Sequence, residues 1–274
     1  TLFVKNAKKS LDKLNLRHRH YIKSEKYKGE IHFSTGSNTA RSSSNFYALN
    51  NGIATLFEIR GVGIGKTSFK RRINSGLAVG FSFLKTAFEN SNFIFNQIDV
   101  ANTNTNDIVL QHERSIYTDV IKAIDIESNE LIDFTTTMHS SKDSYAISKR
   151  DRPLAYIIKK NNYGFIEKLN DVGVNYVEFE RDTIIYSGGY KVVEFNNNFK
   201  VYEKMKMQKV VTSIEYNDNR FSKGDILISM NQKRSNLIAE LLEPEAPNSY
   251  VSFGIIKTSL NKQLPIYRIK NFNN

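Results

Sequence analysis

The residue with the clearest chemical potential is Glu58, a carboxylate within an otherwise uncharged and largely apolar run at residues 53–59. Such a run predicts a buried strand, and a carboxylate there is costly unless it is paired, hydrogen-bonded or near a metal ion. Burial can tune a glutamate to act as a general base that deprotonates water. The alternative is an ion pair with Arg60, because residues two apart on a strand share a face. The residues alone slightly favour the ion pair.

A glycine-rich turn follows at residues 61–67, which read Gly-Val-Gly-Ile-Gly-Lys-Thr. The run looks like a phosphate-binding loop, but the Walker A pattern requires glycine where this sequence has Arg60. The third glycine of the dinucleotide fingerprint would fall on Lys66, whose side chain would prevent close packing of helix against strand. We therefore expect a tight turn before a helix, and no nucleotide binding.

Histidines offer little sign of a metal site. His18 and His20 are two residues apart and would share a face of a strand, so they could clamp a metal ion. No third ligand is recognisable nearby, and a surface pair on a basic segment is the preferred interpretation. The remaining histidines are isolated in sequence: His32, His112 and His139. None of the five is followed three residues later by glutamate, so the sequence predicts no metal ligands.

Composition excludes several classes of protein. The chain carries 39 Lys and Arg against 28 Asp and Glu, a net charge of +11. Clustered cations would favour nucleic-acid binding, but these are scattered, so we expect a solvated basic surface and keep nucleic-acid binding only as a third hypothesis. An apolar content of 40% argues against wholesale disorder. No apolar run approaches about 18 residues, so no membrane span is expected, and the lack of cysteine excludes thiol catalysis.

The first part of the chain has an α/β pattern. Apolar spacing predicts helices at residues 2–15, 45–49 and 68–89, and residues 19–33 are predicted to be extended. A strand at 53–59, the glycine turn and the long helix together indicate an α/β layer architecture. The apolar residues at helical spacing in the long helix are Phe69, Ile73, Leu77, Phe81, Leu84 and Phe88.

Beyond about residue 95 the pattern changes to short β-rich runs with two helices, at residues 163–171 and 235–242. We therefore divide the chain into an α/β part at 1–95, a polar linker at 96–106 and a β-rich α+β domain at 107–274. The runs predicted as strands are 108–110, 120–126, 131–137, 154–158, 176–179, 183–186, 191–195, 210–216, 225–230 and 250–256.

The surroundings of Glu58 resemble a known family. Residues 52–61 read Gly-Ile-Ala-Thr-Leu-Phe-Glu-Ile-Arg-Gly, and Tyr47, Leu49 and Asn50 precede them. This stretch, with the glycine turn and long helix that follow, resembles the C-terminal part of the catalytic domain in zinc carboxypeptidases, the carboxypeptidase A-like metallopeptidases. The resemblance implies that Glu58 is the general base and acid that activates a zinc-bound water.

The rest of the chain resembles the long bacterial branch of that family, which appends a β-rich domain. The resemblance therefore implies an α/β fold class: the C-terminal portion of a zinc-carboxypeptidase-like α/β domain, followed by a β-rich α+β domain. The stretches that carry this resemblance are residues 152–158, 166–174, 221–228, 241–250 and 264–268.

The resemblance also implies a zinc cofactor, a peptide substrate and a periplasmic or secreted location. The family's zinc ligands, a His-x-x-Glu pair and a distant histidine, lie N-terminal to its catalytic glutamate. The 57 residues before Glu58 contain no His-x-x-Glu. We therefore expect the natural protein to be longer and this chain to be inactive alone. Arg41, in a polar loop at 34–44, is a candidate contact for a substrate carboxylate, and a solvated loop arginine is the alternative.

A second hypothesis comes from a different functional class. The chain could belong to a non-catalytic module that keeps a degenerate peptidase scaffold and binds peptide, glycan or protein. A preceding coding sequence without His-x-x-Glu would favour this hypothesis over the peptidase.

Overall fold

The computed structural model describes residues 1–61, 63, 65–160 and 163–271. It divides into two compact units. The first unit comprises Thr1–Asn38, Ile53–Val100 and Arg114–Tyr145, and the second comprises Thr39–Gly52, Ala101–Glu113 and Ala146–Asn274. The division of the sequence at residues 96–106 stays a prediction. In the described part of the chain, every helix is too short or too polar to cross a membrane.

Both helices and β-sheets, one sheet mixed and one antiparallel, build the structure, which confirms the α/β fold class. The helices are α1 (Leu2–Lys13), α2 (Ser43–Leu49), α3 (Phe69–Glu89), α4 (Ser91–Asn102), α5 (Tyr163–Asp171) and α6 (Ser235–Leu242). The strands are β1 (Ile22–Tyr27), β2 (Glu30–Thr35), β3 (Ile108–Ile124), β4 (Leu131–Arg150), β5 (Ala155–Ile158), β6 (Val177–Glu178), β7 (Thr183–Tyr202), β8 (Met205–Phe221), β9 (Ile226–Ser229) and β10 (Gln263–Ile269).

The helices predicted from apolar spacing are confirmed, but two predicted strands are wrong. Residues 53–59, all of them described, adopt no regular secondary structure, and residues 250–256 form turns. Two elements were not predicted, α4 and β10. The end of α4 falls inside the predicted linker, because its apolar residues continue past the boundary chosen from composition.

A four-stranded sheet in the order β1-β2-β4-β3 lies mainly in the first unit. The first two strands form an antiparallel hairpin whose turn holds Lys28 and Gly29 at φ +50° and +89°. Strand β2 then pairs in parallel with β4, which lies more than a hundred residues later, so that His32 is opposite Thr137 and Ser34 is opposite His139. The pairing of β2 with β4 therefore joins two hairpin strands to strands that are distant from them in sequence.

The second unit contains a six-stranded sheet in the order β6-β9-β5-β10-β7-β8. Helices α5 and α6 cover it, and their residues Leu169, Ile238 and Leu242 join the main apolar core. The central strand β5 is buried along its whole length. This unit thus has a core of its own, built from the elements that the β-rich pattern predicted and from β10.

A buried ionic cluster joins α6 to that sheet. Glu243 is fully buried, and its Oε1 accepts hydrogen bonds from the hydroxyls of Tyr156 at 2.5 Å and Tyr190 at 2.8 Å. Its Oε2 lies 2.5 Å from Arg150 Nη1, which also contacts Glu245 Oε2 at 2.8 Å. Burial and the neighbouring carboxylate raise the pKa of both tyrosines well above the usual value. Glu243 therefore places a fully buried charge at the C-terminal end of α6.

Removing this carboxylate should destabilise the second unit strongly. We expect Glu243→Ala to lower the free energy of unfolding by about 3–5 kcal/mol, because it removes one of the two carboxylates paired with Arg150 and leaves the buried hydroxyls of Tyr156 and Tyr190 without their acceptor. Urea denaturation followed by circular dichroism measures the difference. Glu167→Ala, at an exposed position of α5, is the control and should change stability by less than about 0.5 kcal/mol. Equal losses in both variants would refute the structural role given to Glu243.

Candidate functional site

Glu58 lies in the first unit, on an exposed segment and not on a buried strand. Residues 56–60 are all exposed, and Ile53 is as well. The prediction that residues 53–59 are buried is therefore wrong for this structure, because no neighbouring strand pairs with them within the described residues. The alternative ion pair is also not formed: among the described residues, no salt bridge joins Glu58 to Arg60.

The segment that carries Glu58 is held against helix α3 by its aromatic and apolar side chains. The ring of Phe57 meets the ring of Phe83 edge-on, with centroids 5.3 Å apart. The same Phe83 packs against Phe3 of α1 at 5.1 Å. Ile59 lies over Gly76, where its Cδ1 would be 3.6 Å from an added Cβ. Helix α3 is therefore the element that positions Glu58.

The glycine-rich turn is fixed to the start of α3 by an arginine. The guanidinium of Arg72 donates to the carbonyl oxygens of Gly61 at 3.3 Å and Gly65 at 2.5 Å. Gly63 and Gly65 have φ of +80° and +52°, which side-chain-bearing residues rarely adopt. Val62 and Ile64 lie outside the described residues. The prediction of a tight turn before a helix is confirmed at the residues that are described.

Helix α3 also exposes an apolar face, which we call the outer stripe: Phe69, Ile73, Leu77, Phe81, Leu84 and Phe88. These side chains are 45–85% exposed, with Phe88 the most exposed. The described residues of the first unit bury few apolar side chains in comparison, namely Phe3, Ala7, Leu11, Val79 and Met138. An exposed apolar face of this kind makes the outer stripe a candidate interaction surface.

Arg41, the other predicted site residue, belongs to the second unit. Its guanidinium stacks 3.6 Å from the centroid of the Tyr202 ring and 5.3 Å from that of Phe253. A half-buried carboxylate, Glu240, is held nearby by two hydrogen bonds from Asn248, and its pKa is raised by burial. Arg41 is thus anchored on aromatic rings, while Glu58 belongs to the other unit, and a substrate contact by Arg41 stays a prediction.

The zinc ion implied by the resemblance has no ligand set around Glu58. Among the described residues, no group of three or more histidine, aspartate or glutamate side chains is placed to hold a metal ion, and the sequence has no cysteine. His18 and His20 do not converge on each other. His18 Nε2 lies 2.8 Å from Asp12 Oδ1, and His20 Nε2 lies 3.1 Å from Lys8 Nζ. Both are exposed, as the surface interpretation predicted.

The structure does bring together two histidines that the sequence leaves isolated. His32 Nδ1 on β2 and His139 Nε2 on β4 are 3.0 Å apart, although the residues are 107 positions apart in the chain. The parallel pairing of the two strands creates this contact. Apolar periodicity within each strand carries no signal of which strands will pair, so the sequence could not reveal it.

The two faces of α3 should respond differently to truncation. We expect Phe83→Ala, which removes a ring packed between α1 and the Glu58 segment, to cost about 2–4 kcal/mol of unfolding free energy. Phe88→Ala on the outer stripe should change it by less than about 0.5 kcal/mol, because the Phe88 ring is already 85% exposed. Thermal and urea unfolding of the chain give both values. Similar costs at the two positions would contradict the exposure of the outer stripe.

Comparison with known proteins gives distant relatives only. No protein-family model matches the chain, and no solved structure does. Carboxypeptidase 2 of Trichophyton equinum is 29% identical over 280 aligned residues, which cover 98% of this chain and 51% of that protein. Proteins of the same name from Trichophyton tonsurans and Trichophyton rubrum are each 27% identical with the same coverage. The chain spans about half the length of these curated relatives, and it is a distant relative of fungal proteins named as carboxypeptidases.

Proposed function

We propose that this chain is the C-terminal part of a zinc metallocarboxypeptidase-like enzyme that hydrolyses peptide bonds. The observation that carries the proposal is the similarity to proteins named carboxypeptidase 2 over 98% of the chain. The motif around Glu58 supports it from the sequence, since a glutamate in that context is the catalytic residue of the family that the sequence resembles. Peptide substrates and proteolysis follow from the same proposal.

In this proposal Glu58 is the general base. It accepts a proton from the attacking water and returns it to the amine that leaves, a role that requires access to solvent and to substrate. The exposed position of Glu58 meets that requirement. Its backbone is oriented by Phe57 and Ile59, which contact α3 on either side of it. The helix would then set the direction from which the carboxylate faces the water.

The described residues of the chain do not provide a ligand set for the zinc ion. The proposal therefore assigns the metal ligands to polypeptide outside this sequence, which corresponds to the half of the curated relatives that the chain does not cover. The chain alone would then be inactive. The arginines that bind the substrate's terminal carboxylate in the family would also come from that polypeptide, with Arg41 as a further candidate.

The exposed surface of the first unit also supports contact with the polypeptide that would supply the metal ligands. Residues 53–59 have the composition of a buried strand, but in the described part of the chain no strand lies beside them. The side chains of the outer stripe of α3 are exposed. An occupant that satisfies both must present a strand edge and an apolar surface together, as a sheet of an α/β domain does. A second copy of this chain would leave the metal ligands unsupplied. We therefore assign this surface to the uncovered half of the peptidase scaffold.

The absence of a His-x-x-Glu pair from the sequence favours one second candidate. The chain would then belong to a non-catalytic module that binds peptide, glycan or protein on a degenerate peptidase scaffold. Its surface would need the same polypeptide cover, but no proton transfer would depend on Glu58.

The general-base role is tested by Glu58→Gln in the polypeptide extended by the coding sequence that precedes Thr1. We expect turnover of a blocked peptide with a free C-terminal carboxylate to fall at least about 100-fold, because the amide cannot take up the proton. Glu89→Gln is the matched control, since Glu89 is an exposed glutamate of α3 that pairs with Lys85 at 3.6 Å on the same helix. Unimpaired turnover in Glu58→Gln would exclude the role, and a complete lack of hydrolysis by the extended wild type would favour the non-catalytic module.

The cover proposed for the first unit is tested by amide hydrogen exchange. In the chain alone, the amides of residues 53–59 should exchange rapidly, because none of the described strands pairs with them. In the extended polypeptide they should be protected, and Leu84→Gln on the outer stripe should reduce that protection. Lys85→Gln, beside it on the same helix, is the control. Protection in a dimer of the chain alone would assign the surface to a second copy and overturn the proposed cover.

A further inference from the structure

The pair formed by His32 and His139 has the arrangement of two metal ligands. Each imidazole presents one ring nitrogen to the other, with Nδ1 of His32 and Nε2 of His139 separated by 3.0 Å. Two nitrogens that each lie ~2.1 Å from a tetrahedral metal ion are roughly 3.4 Å apart. The pair is therefore within a few tenths of an ångström of the spacing that a shared ion requires. The ring centroids are 5.2 Å apart, so the two nitrogens point at each other, and each ring must turn by roughly 35° for both lone pairs to meet on one tetrahedral ion.

The other nitrogen of His32 has a carboxylate partner. His32 Nε2 lies 3.4 Å from Oε2 of Glu30, the residue two positions earlier on β2. With the carboxylate as acceptor, Nε2 carries the proton and Nδ1 keeps its lone pair, which faces His139. A carboxylate on the far nitrogen of a histidine is the arrangement that orients metal-binding imidazoles and raises their basicity.

Further potential ligands share this face of the sheet. Glu25 on β1 is directly opposite His32 in the antiparallel register, and side chains of opposite residues lie on the same face. Ser34 is opposite His139, which places both histidines on one side of β2 and β4. The ring of Tyr27 packs on both imidazoles, at 5.2 Å and 6.3 Å between centroids. The rings are thereby supported from the hairpin, and Glu30 also lines an open groove beside them.

The other histidine pair lacks these features. His18 and His20 are the close pair in sequence, but each ring contacts a different residue of α1. The ammonium of Lys8 next to His20 would repel a cation. As a candidate metal site, the structure therefore favours His32 and His139, which are distant in sequence, over His18 and His20, which are close in sequence.

We propose that His32 and His139 form a binding site for a divalent transition-metal ion of the kind that imidazole prefers, such as zinc. The two histidines supply the ring nitrogens, Glu30 orients His32, and water or Glu25 completes the coordination. No larger group of ligands converges among the described residues, so the ion is bound by two protein side chains and remains open to an additional ligand. This site does not depend on the role of Glu58.

The test is calorimetric titration of the chelator-treated chain with zinc chloride. We expect one ion per chain, with affinity reduced at least about tenfold by His139→Ala or by His32→Ala, and about tenfold by Glu30→Gln. Circular dichroism checks folding, and since His32 is only 8% exposed, His139→Gln and Glu30→Gln serve as the variants least disturbing to the sheet.

The controls separate this site from the other histidines. A His18→Ala and His20→Ala double variant and a His112→Ala variant should bind zinc as the wild type does. Absence of zinc binding by the wild type at millimolar zinc would overturn the proposal and leave the pair as an ordinary hydrogen bond. Binding that is lost in the double variant and kept in His139→Ala would assign the ion to the N-terminal pair instead and would equally overturn it.

Discussion

A β-strand is stable only when the N–H and C=O groups along its edges find partners, and this requirement determines the state of residues 53–59. Their side chains favour a strand, but within the described chain no other strand is available beside them. They consequently lie along α3 as an exposed segment held by Phe57 and Ile59. The exposed position of Glu58 and the proposed dependence on additional polypeptide both follow from this one unsatisfied pairing.

The second unit shows the opposite condition. Its six strands pair with one another, and even the carboxylate of Glu243 is surrounded by two tyrosine hydroxyls and an arginine. A buried charge of this kind is tolerated only when each of its hydrogen-bonding positions is used. The unit therefore completes its core with its own residues, whereas the first unit has an apolar face without cover. The chain aligns with about half of the length of its curated relatives, and this difference between the units fits that partial alignment.

Local patterns in the sequence predicted the helices and strands better than the contacts between them. Helices α1 and α3 followed from apolar spacing, and the glycine turn followed from the failure of the phosphate-loop pattern at Arg60. The burial of residues 53–59 was wrong, because a pattern specifies that a strand could be buried but not what would bury it. The contact between His32 and His139 depends on a parallel pairing over 107 residues, and the surroundings of Glu243 depend on four separate elements. Such long-range contacts leave no trace in single-sequence periodicity.

The order of the units along the chain has a consequence for dissection of the protein. Thr39–Gly52 belongs to the second unit although it lies between two segments of the first, and Arg41 stacks on Tyr202 while Asn51 accepts a hydrogen bond from Asn236. The polypeptide therefore crosses between the units several times, and no single cleavage yields either unit intact. Limited proteolysis or gene truncation near residue 100 would remove these anchoring residues from the sheet that they stabilise.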